Sequence, residues 1–363
     1  MTAPQASGLD GINVAETALS DVDGERGKLT IRGYSVENLV ERATFEEVCG
    51  LMWTGVWPSG DERHAIAASL ADARAHAFAM LPSIGTALDS PDSMEALRTA
   101  VGHVRAGDPV IDRTRLTGAI AVFATAWARR RQNLPPVPPR PELPHAADIL
   151  QMLSGDTPDP ARVRGLDAYL CCVVDHGMNA STFTARVVAS TGSDLVSAVV
   201  AAIGALKGPL HGGAPGPVLD MLDAIGPPER ARTWLEQEIS AGRRIMGMGH
   251  RIYRVRDPRA AALESATARL ERTGVAADRL AIARAVEREA ERLLAERHPE
   301  RALRANVEFY TAVLLDAVGV PRTLFSPMFA GSRVVGWCAH VAEQRAVGRL
   351  IRPGSTYVGA MPS

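Results

Sequence analysis

The stretch Leu195-Val196-Ser197-Ala198-Val199-Val200-Ala201-Ala202-Ile203-Gly204-Ala205-Leu206 decides the fold class. Leu195, Val199, Ile203 and Leu206 recur at helical spacing, so one apolar face runs its whole length. Pro209 follows and ends or kinks the helix, which places His211 on a loop at a helix end. The same period appears on both sides of it. Upstream, Ala146, Ile149, Leu150 and Leu153 repeat it until Gly155 stops the helix. Downstream, Ile282, Val286, Ala290 and Leu293 form a third face, with Arg284–Glu287 and Arg288–Glu291 expected as charge pairs on its wet side. Thr44 and Glu47 form a capping box ahead of a further apolar run. Strand signal is confined to Leu29-Thr30-Ile31, preceded by a turn at Asp23-Gly24 and Gly27, which reads as a small N-terminal hairpin. The chain is therefore read as all-α. Six prolines within residues 134–144 forbid helix there and favour a stiff, extended surface path.

Composition narrows the function classes. The chain has 363 residues, enough to bury a sizeable core, and 40 basic against 41 acidic side chains. That balance gives no support to nucleic-acid or polybasic membrane binding. The apolar stretch over residues 116–128 is too short for a membrane span, which takes about 20 residues. The N-terminus has neither a basic nor an apolar signal region, and a cytoplasmic protein is expected. Cys49, Cys171, Cys172 and Cys338 form no C-x-x-C pair and read as buried free thiols.

The chemistry concentrates between residues 175 and 260. Three histidines sit beside glycines, in Asp175-His176-Gly177-Met178-Asn179, Gly208-Pro209-Leu210-His211-Gly212-Gly213 and Gly247-Met248-Gly249-His250-Arg251. Glycine beside a histidine allows tight turns and close approach of a ligand. The histidines lack the H-x-x-x-H spacing of a zinc site, and no metal is expected. The glycines fit neither the phosphate-loop nor the dinucleotide template. Arg259, Arg333 and Arg352 lie in Arg256-Asp257-Pro258-Arg259, Ala330-Gly331-Ser332-Arg333 and Ile351-Arg352-Pro353-Gly354. Their planar forks suit carboxylates.

Taken in order and spacing, these motifs resemble the citrate synthase family. The resemblance covers nearly the whole chain, from Gly8-Leu9-Asp10-Gly11 to Arg352-Pro353-Gly354-Ser355-Thr356-Tyr357. It implies an all-α homodimer of two-domain subunits, with residues 1–213 and 320–363 in a large helical domain and 214–319 in a small one. It implies active sites in the cleft between them, closing over the first substrate. The implied reaction condenses acetyl-CoA with oxaloacetate and hydrolyses the thioester, with no cofactor beyond the CoA substrate. An acetyl methyl is a weak carbon acid, so its deprotonation needs a carboxylate base and simultaneous stabilisation of the enolate oxygen. By resemblance His211 would bond the thioester oxygen, and His250 would polarise the keto group and protonate the new alkoxide. His176, Arg259 and Arg333 would hold oxaloacetate, and Arg352 would reach across the dimer. Lys207 and Arg254 lie beside these motifs and are candidates for the CoA phosphates.

Three departures qualify the resemblance. Family members carry aspartate as the base in Asn-Val-Asp, whereas this chain reads Asn306-Val307-Glu308-Phe309. The extra methylene adds roughly 1.5 Å of reach, and a displacement of about 1 Å can cost on the order of 10²-fold in rate. Either the backbone has shifted around Glu308, or turnover is slow, or the substrate differs. Ala214-Pro215-Gly216 follows Gly213 where relatives often have alanine-asparagine. Relatives often continue past the final tyrosine motif with an arm around the partner, and this sequence ends at Ser363. A 2-methylcitrate synthase using propionyl-CoA shares every motif. A regulatory dicarboxylate- or CoA-binding protein with little turnover is the reading from a different class.

Overall fold

The computed structural model describes residues 9, 11–211, 215–274, 277–301 and 303–361. Gly8, Asp10, Gly212, Gly213 and Ala214, which belong to the motifs above, lie outside the described residues. The chain opens with a three-stranded antiparallel sheet of β1 (Ser20–Asp23), β2 (Lys28–Ile31) and β3 (Tyr34–Ser35). Ser20 pairs with Ile31 and Asp23 with Lys28, which is the expected hairpin. The short β3 pairs Ile31 with Tyr34 and was not anticipated. All remaining regular elements among the described residues are helical. They are α1 (Val36–Arg42), α2 (Phe45–Thr54), α3 (Gly60–Met80), α4 (Ser93–Val101), α5 (Pro109–Arg131), α6 (His145–Ser154), α7 (Pro160–Cys172) and α8 (Ala180–Ser190), then α9 (Leu195–Leu206), α10 (Pro215–Ile225), α11 (Ala231–Ser240), α12 (Pro258–Glu271), α13 (Ala277–Arg297), α14 (Val307–Val318) and α15 (Phe325–Val347), joined in places by short 3-10 turns.

Local chemistry sets the helix ends. Thr44 and Glu47 form the capping box of α2, and Gly155 ends α6. Asp159, Asn179, Asp194, Asp257 and Asn306 cap α7, α8, α9, α12 and α14 with side-chain oxygens. The proline-rich segment has no regular structure, as expected, and a buried arginine holds it down. Arg74 on α3 ion-pairs with Asp148 and donates to the carbonyl of Leu143 at 3.1 Å, while Asp148 accepts the amide of Arg140 at 2.9 Å.

The core is one continuous apolar cluster with Trp337, Phe45, Phe123 and Phe325 among its largest members. In it α3 packs on α5, α8 on α9, and α15 across α5 and α8. Helices α10–α14 pack on one another, α1 also meets α12, and α7 meets both α12 and α14. Cys49, Cys171, Cys172 and Cys338 are buried and free. No helix among the described residues is long and apolar enough to cross a membrane.

The charge pairs expected along α13 do not form within that helix. Arg284 instead bonds Glu264 on α12 at 2.7 Å, and Glu287 takes Arg256 and the hydroxyl of Tyr310. Glu291 pairs with Arg304. Glu287 is only 9% exposed, so its side of the helix is an interior seam that helical periodicity alone assigned to solvent.

Candidate active site

Two groups of elements build the site. The first is the turn between α7 and α8, together with α15. His176 lies in that turn, buried, with Nε2 3.1 Å from the Tyr253 hydroxyl. Burial, reinforced by Arg259 and Arg333, drives its pKa well below the ordinary histidine value. Arg333, on α15, is 1% exposed. Its Nε donates to the Val173 carbonyl at 2.8 Å, and its guanidinium lies 4.6 Å from the Phe329 ring centre. Among the described residues no carboxylate forms an ion pair with Arg333. Burial pushes its pKa down to about 10, still charged at neutral pH. Asp175 opposes that shift through space without a direct ion pair, and a buried cation so placed is costly unless a ligand completes it.

His211 stands in the turn after α9, where the sequence reading put it. The backbone N–H of Ser181, one of the free donors in the first turn of α8, points to His211 Nε2 at 3.3 Å. An N–H can only donate, so Nε2 carries the lone pair and the ring proton sits on Nδ1. Ser181 Oγ, 2.8 Å from the same nitrogen, is also held by Trp337 and Asn179. Burial, then Arg333, lowers the His211 pKa to about 4, so the ring is neutral.

The second group is the segment from Gly247 to Arg259 and the start of α14. Gly247 adopts φ +74°, and a Cβ there would meet Phe309 at 2.9 Å, so glycine is required on both counts. This lets residues 247–249 run antiparallel to residues 304–306. Met248 bridges Ala305, Asn306 donates from its amide to the Gly247 carbonyl at 3.0 Å, and Asn306 Nδ2 donates to the Gly249 carbonyl at 2.8 Å. The pairing sets the segment that leads into His250 against the residues that open α14. His250 Nδ1 accepts from the amides of Ile252 and Tyr253 at 3.0 and 3.1 Å, leaving the proton on Nε2. Nε2 lies 3.3 Å from an Arg259 terminal nitrogen. Two donors thus converge where an acceptor oxygen fits. Burial, then Arg259, lowers the His250 pKa to about 4. Its ring centre is 5.7 Å from that of His176.

Arg259 is held by Asp257, whose two carboxylate oxygens accept its Nε at 3.1 Å and Nη2 at 2.8 Å. Asp257 also accepts the Val307 amide at 3.1 Å, tying the N-termini of α12 and α14 together. Glu308 is half-buried in the first turn of α14, its own amide capped by Asn306 at 3.0 Å. Among the described residues its carboxylate accepts no hydrogen bond. Burial pushes its pKa up to about 7, opposed by Arg259 and Arg244.

His176, Arg259, Arg333, His211, His250 and Glu308 therefore belong to two adjoining groups linked through Tyr253, His250 and Arg259. Three other candidates have different surroundings. Arg352 is exposed in the irregular C-terminal segment. Lys207 lies with its ammonium 3.8 Å from both Asp92 and Glu95. Arg254 is exposed, its amide bonded to the Gly24 carbonyl at 2.9 Å. Tyr253, Asp257, Asn306 and Ser181 had no assigned role in the sequence reading. The two caps were recognisable from Asp257-Pro258 and from Asn306 before an apolar run, whereas Tyr253 and Ser181 gave no local signal.

The family model described as citrate synthase, C-terminal domain, matches residues 8–354. The citrate synthase of Haloferax volcanii is 39% identical over 99% of this chain and 97% of its own length. The 2-methylcitrate synthase of Mycobacterium tuberculosis is 37% identical over 99% of this chain and 93% of its own. A solved structure of citrate synthase from Thermoplasma acidophilum, in ternary complex with carboxymethyl coenzyme A and oxaloacetate, superposes with a TM-score of 0.86 at 26% identity, covering 98% of this chain and 96% of that one.

Proposed function

The chain belongs to the citrate synthase family and is an enzyme, a transferase of that type; from this premise we propose that it condenses acetyl-CoA with oxaloacetate and hydrolyses the thioester to citrate and CoA. One observation carries the choice of a dicarboxylate. Arg333 is a buried cation in direct ion-pair contact with no carboxylate among the described residues, and it lies near Arg259 and the neutral His176 and His211. The arginines are then the charges that complement a dianion. The ternary complex of the Thermoplasma relative supports the same pair of substrates.

In this reading Arg259, Arg333 and His176 hold oxaloacetate. His250 donates from Nε2 to its keto oxygen, and His211 donates from Nδ1 to the thioester oxygen. Glu308 removes a methyl proton, and the enolate carbon attacks the keto carbon. His250 gives its proton to the alkoxide as the carbon–carbon bond forms. Water then cleaves the citryl thioester, releasing CoA. Neutral histidines suit these roles, because a donor need not carry charge to polarise a carbonyl. The reaction requires no metal or prosthetic group.

The proposal extends to the assembly. Arg352 is exposed in the irregular C-terminal segment, which fits a homodimer in which it completes the partner's site. Mixing Arg352→Ala with His211→Ala chains is expected to restore activity through one whole hybrid site, and an active monomer by sedimentation would exclude this. Residues 1–213 with 320–363 and residues 214–319 are the proposed large and small domains, closing around oxaloacetate. Arg254 and Lys207 are the proposed phosphate contacts. Four buried free thiols support a cytoplasmic setting.

A second thioester is favoured by the near-equal identity to a 2-methylcitrate synthase. One methylene in an apolar pocket discriminates by only about 1–3 kcal/mol. A coupled assay of CoA release with oxaloacetate and either acetyl-CoA or propionyl-CoA decides between them. Release with acetyl-CoA preferred is expected. No release with either would favour a binding protein with little turnover.

A further inference from the structure

Behind the His176 turn runs a polar chain that the reaction above does not use. Asp175 and His340 are 0% exposed and Arg186 is 1% exposed. The direction of each bond follows from what each group can do. Arg186 only donates, and its Nη1 lies 3.0 Å from His340 Nδ1. His340 Nδ1 is therefore the acceptor, and its Nε2–H donates to Asp175 Oδ1 at 3.2 Å. Asp175 Oδ2 accepts the Ser20 hydroxyl from β1 and the Gly177 amide, the latter at 3.3 Å. Ser20 Oγ accepts that same amide at 2.9 Å.

The outer end is anchored as fully. Arg186 donates to Glu343 at 2.6 Å and to Gln344 at 3.0 Å, and Glu343 accepts from the Thr17 hydroxyl and the Ala18 amide. Close packing fixes the register of α15 against the turn. A Cβ on Gly336 would lie 2.4 Å from the Val174 carbonyl oxygen and 3.0 Å from Asp175 Oδ1, so only glycine lets the helix approach. His176 thus sits between two residues, Asp175 and Gly177, that are both held from behind.

We propose that His340 is a positioning residue for His176: the Arg186–His340–Asp175 chain fixes the turn that aims His176 at the dicarboxylate. A ring that accepts from a guanidinium on one nitrogen and donates to a carboxylate from the other transmits orientation in both directions. It satisfies Asp175 Oδ1, which would otherwise be an unpaired buried acceptor. The inference rests on the reading of His176 as an oxaloacetate ligand.

The test compares His340→Leu, His340→Gln and Ser20→Ala with the wild-type chain. A glutamine amide can donate to Asp175 and accept from Arg186 together, and leucine can do neither. Oxaloacetate affinity is read by calorimetry without thioester, and KM is measured separately for oxaloacetate and for the thioester. His340→Leu is expected to weaken oxaloacetate binding about tenfold, the scale of a hydrogen bond to a charged group, with the thioester KM unchanged and His340→Gln restoring most of the loss. Ser20→Ala removes one donor at the sheet and keeps the test alive if the leucine variant does not fold. It is expected to move the same affinity in the same direction by roughly threefold. Unchanged oxaloacetate affinity in the variants that fold, equal loss for both substrates, or equal loss in the leucine and glutamine variants overturns the inference alone. A wild-type chain that does not bind oxaloacetate overturns the functional reading and this inference with it.

Discussion

The two halves of the site are held in opposite ways. Around His176 and Arg333 the anchoring is buried and saturated: Asp175 takes three donors, and Arg333 is fastened to the Val173 carbonyl within α15's packing. Around His250 and Glu308 the anchoring is backbone pairing through Gly247, Gly249 and Asn306, and the Glu308 carboxylate itself has no hydrogen-bond partner among the described residues. A group that binds an anion gains from being pinned before the ligand arrives. A base gains from being desolvated with its lone pairs unspent, because its pKa then approaches the operating pH. The difference matches the proposed roles: His176 and Arg333 bind from the pinned region, Arg259 joins them from the second region, and proton transfer belongs to Glu308 and His250.

The sharpest way to break that division is to neutralise the base. Glu308→Gln is expected to lower kcat by about 10²–10⁴-fold, the usual contribution of a general base, with calorimetric oxaloacetate affinity unchanged. A comparable loss of affinity would show that Glu308 belongs to the binding region. The same carboxyl sets the pH profile. With a pKa pushed up to about 7, kcat/KM should rise as pH increases through that value and level off above it, since only the ionised form accepts the proton. A profile flat from pH 5 to 8 would place the base elsewhere.

Arg333→Leu tests the other half. It leaves a bound carboxylate without its buried partner, which costs about 3–5 kcal/mol and therefore roughly two to three and a half orders of magnitude in oxaloacetate affinity. Unchanged affinity would reject the assignment. The smallest expected effect is Asn306→Ala. It removes the cap of α14 and the bond to the Gly249 carbonyl, and should cost about 1 kcal/mol, read as a lower denaturant midpoint. If the second region is held by backbone pairing as described, kcat should fall in the same variant while oxaloacetate affinity stays.

Much of this was legible in the sequence because it is local. Helical period along residues 195–206, the Thr44–Glu47 capping box, the stop at Gly155 and the turn before Leu29 depend on residues within a few positions of one another. The three histidine motifs and the DPR arginine were likewise readable as short strings, and their resemblance to one family supplied candidate roles. The Arg284–Glu287 and Arg288–Glu291 pairs failed for the complementary reason. Their spacing was right, but α12, the 256 loop and Arg304 supplied partners from elsewhere in the chain.

What only the tertiary structure decided depends on burial and on contacts between distant segments. The pairing of residues 247–249 with 304–306 brings the segment leading into His250 against the start of α14 across some fifty intervening positions, and no local pattern announces it. The tautomers of His211 and His250 follow from which backbone amides face them. Glu308 is an ordinary glutamate in sequence, and desolvation in the folded chain is what raises its pKa. Arg333 is one arginine among many until the fold buries it with no carboxylate in direct ion-pair contact among the described residues. Sequence specified which chemical groups the chain carries and which helices present them. Folding set the dielectric around each group and the distances between them, and those determine which proton moves.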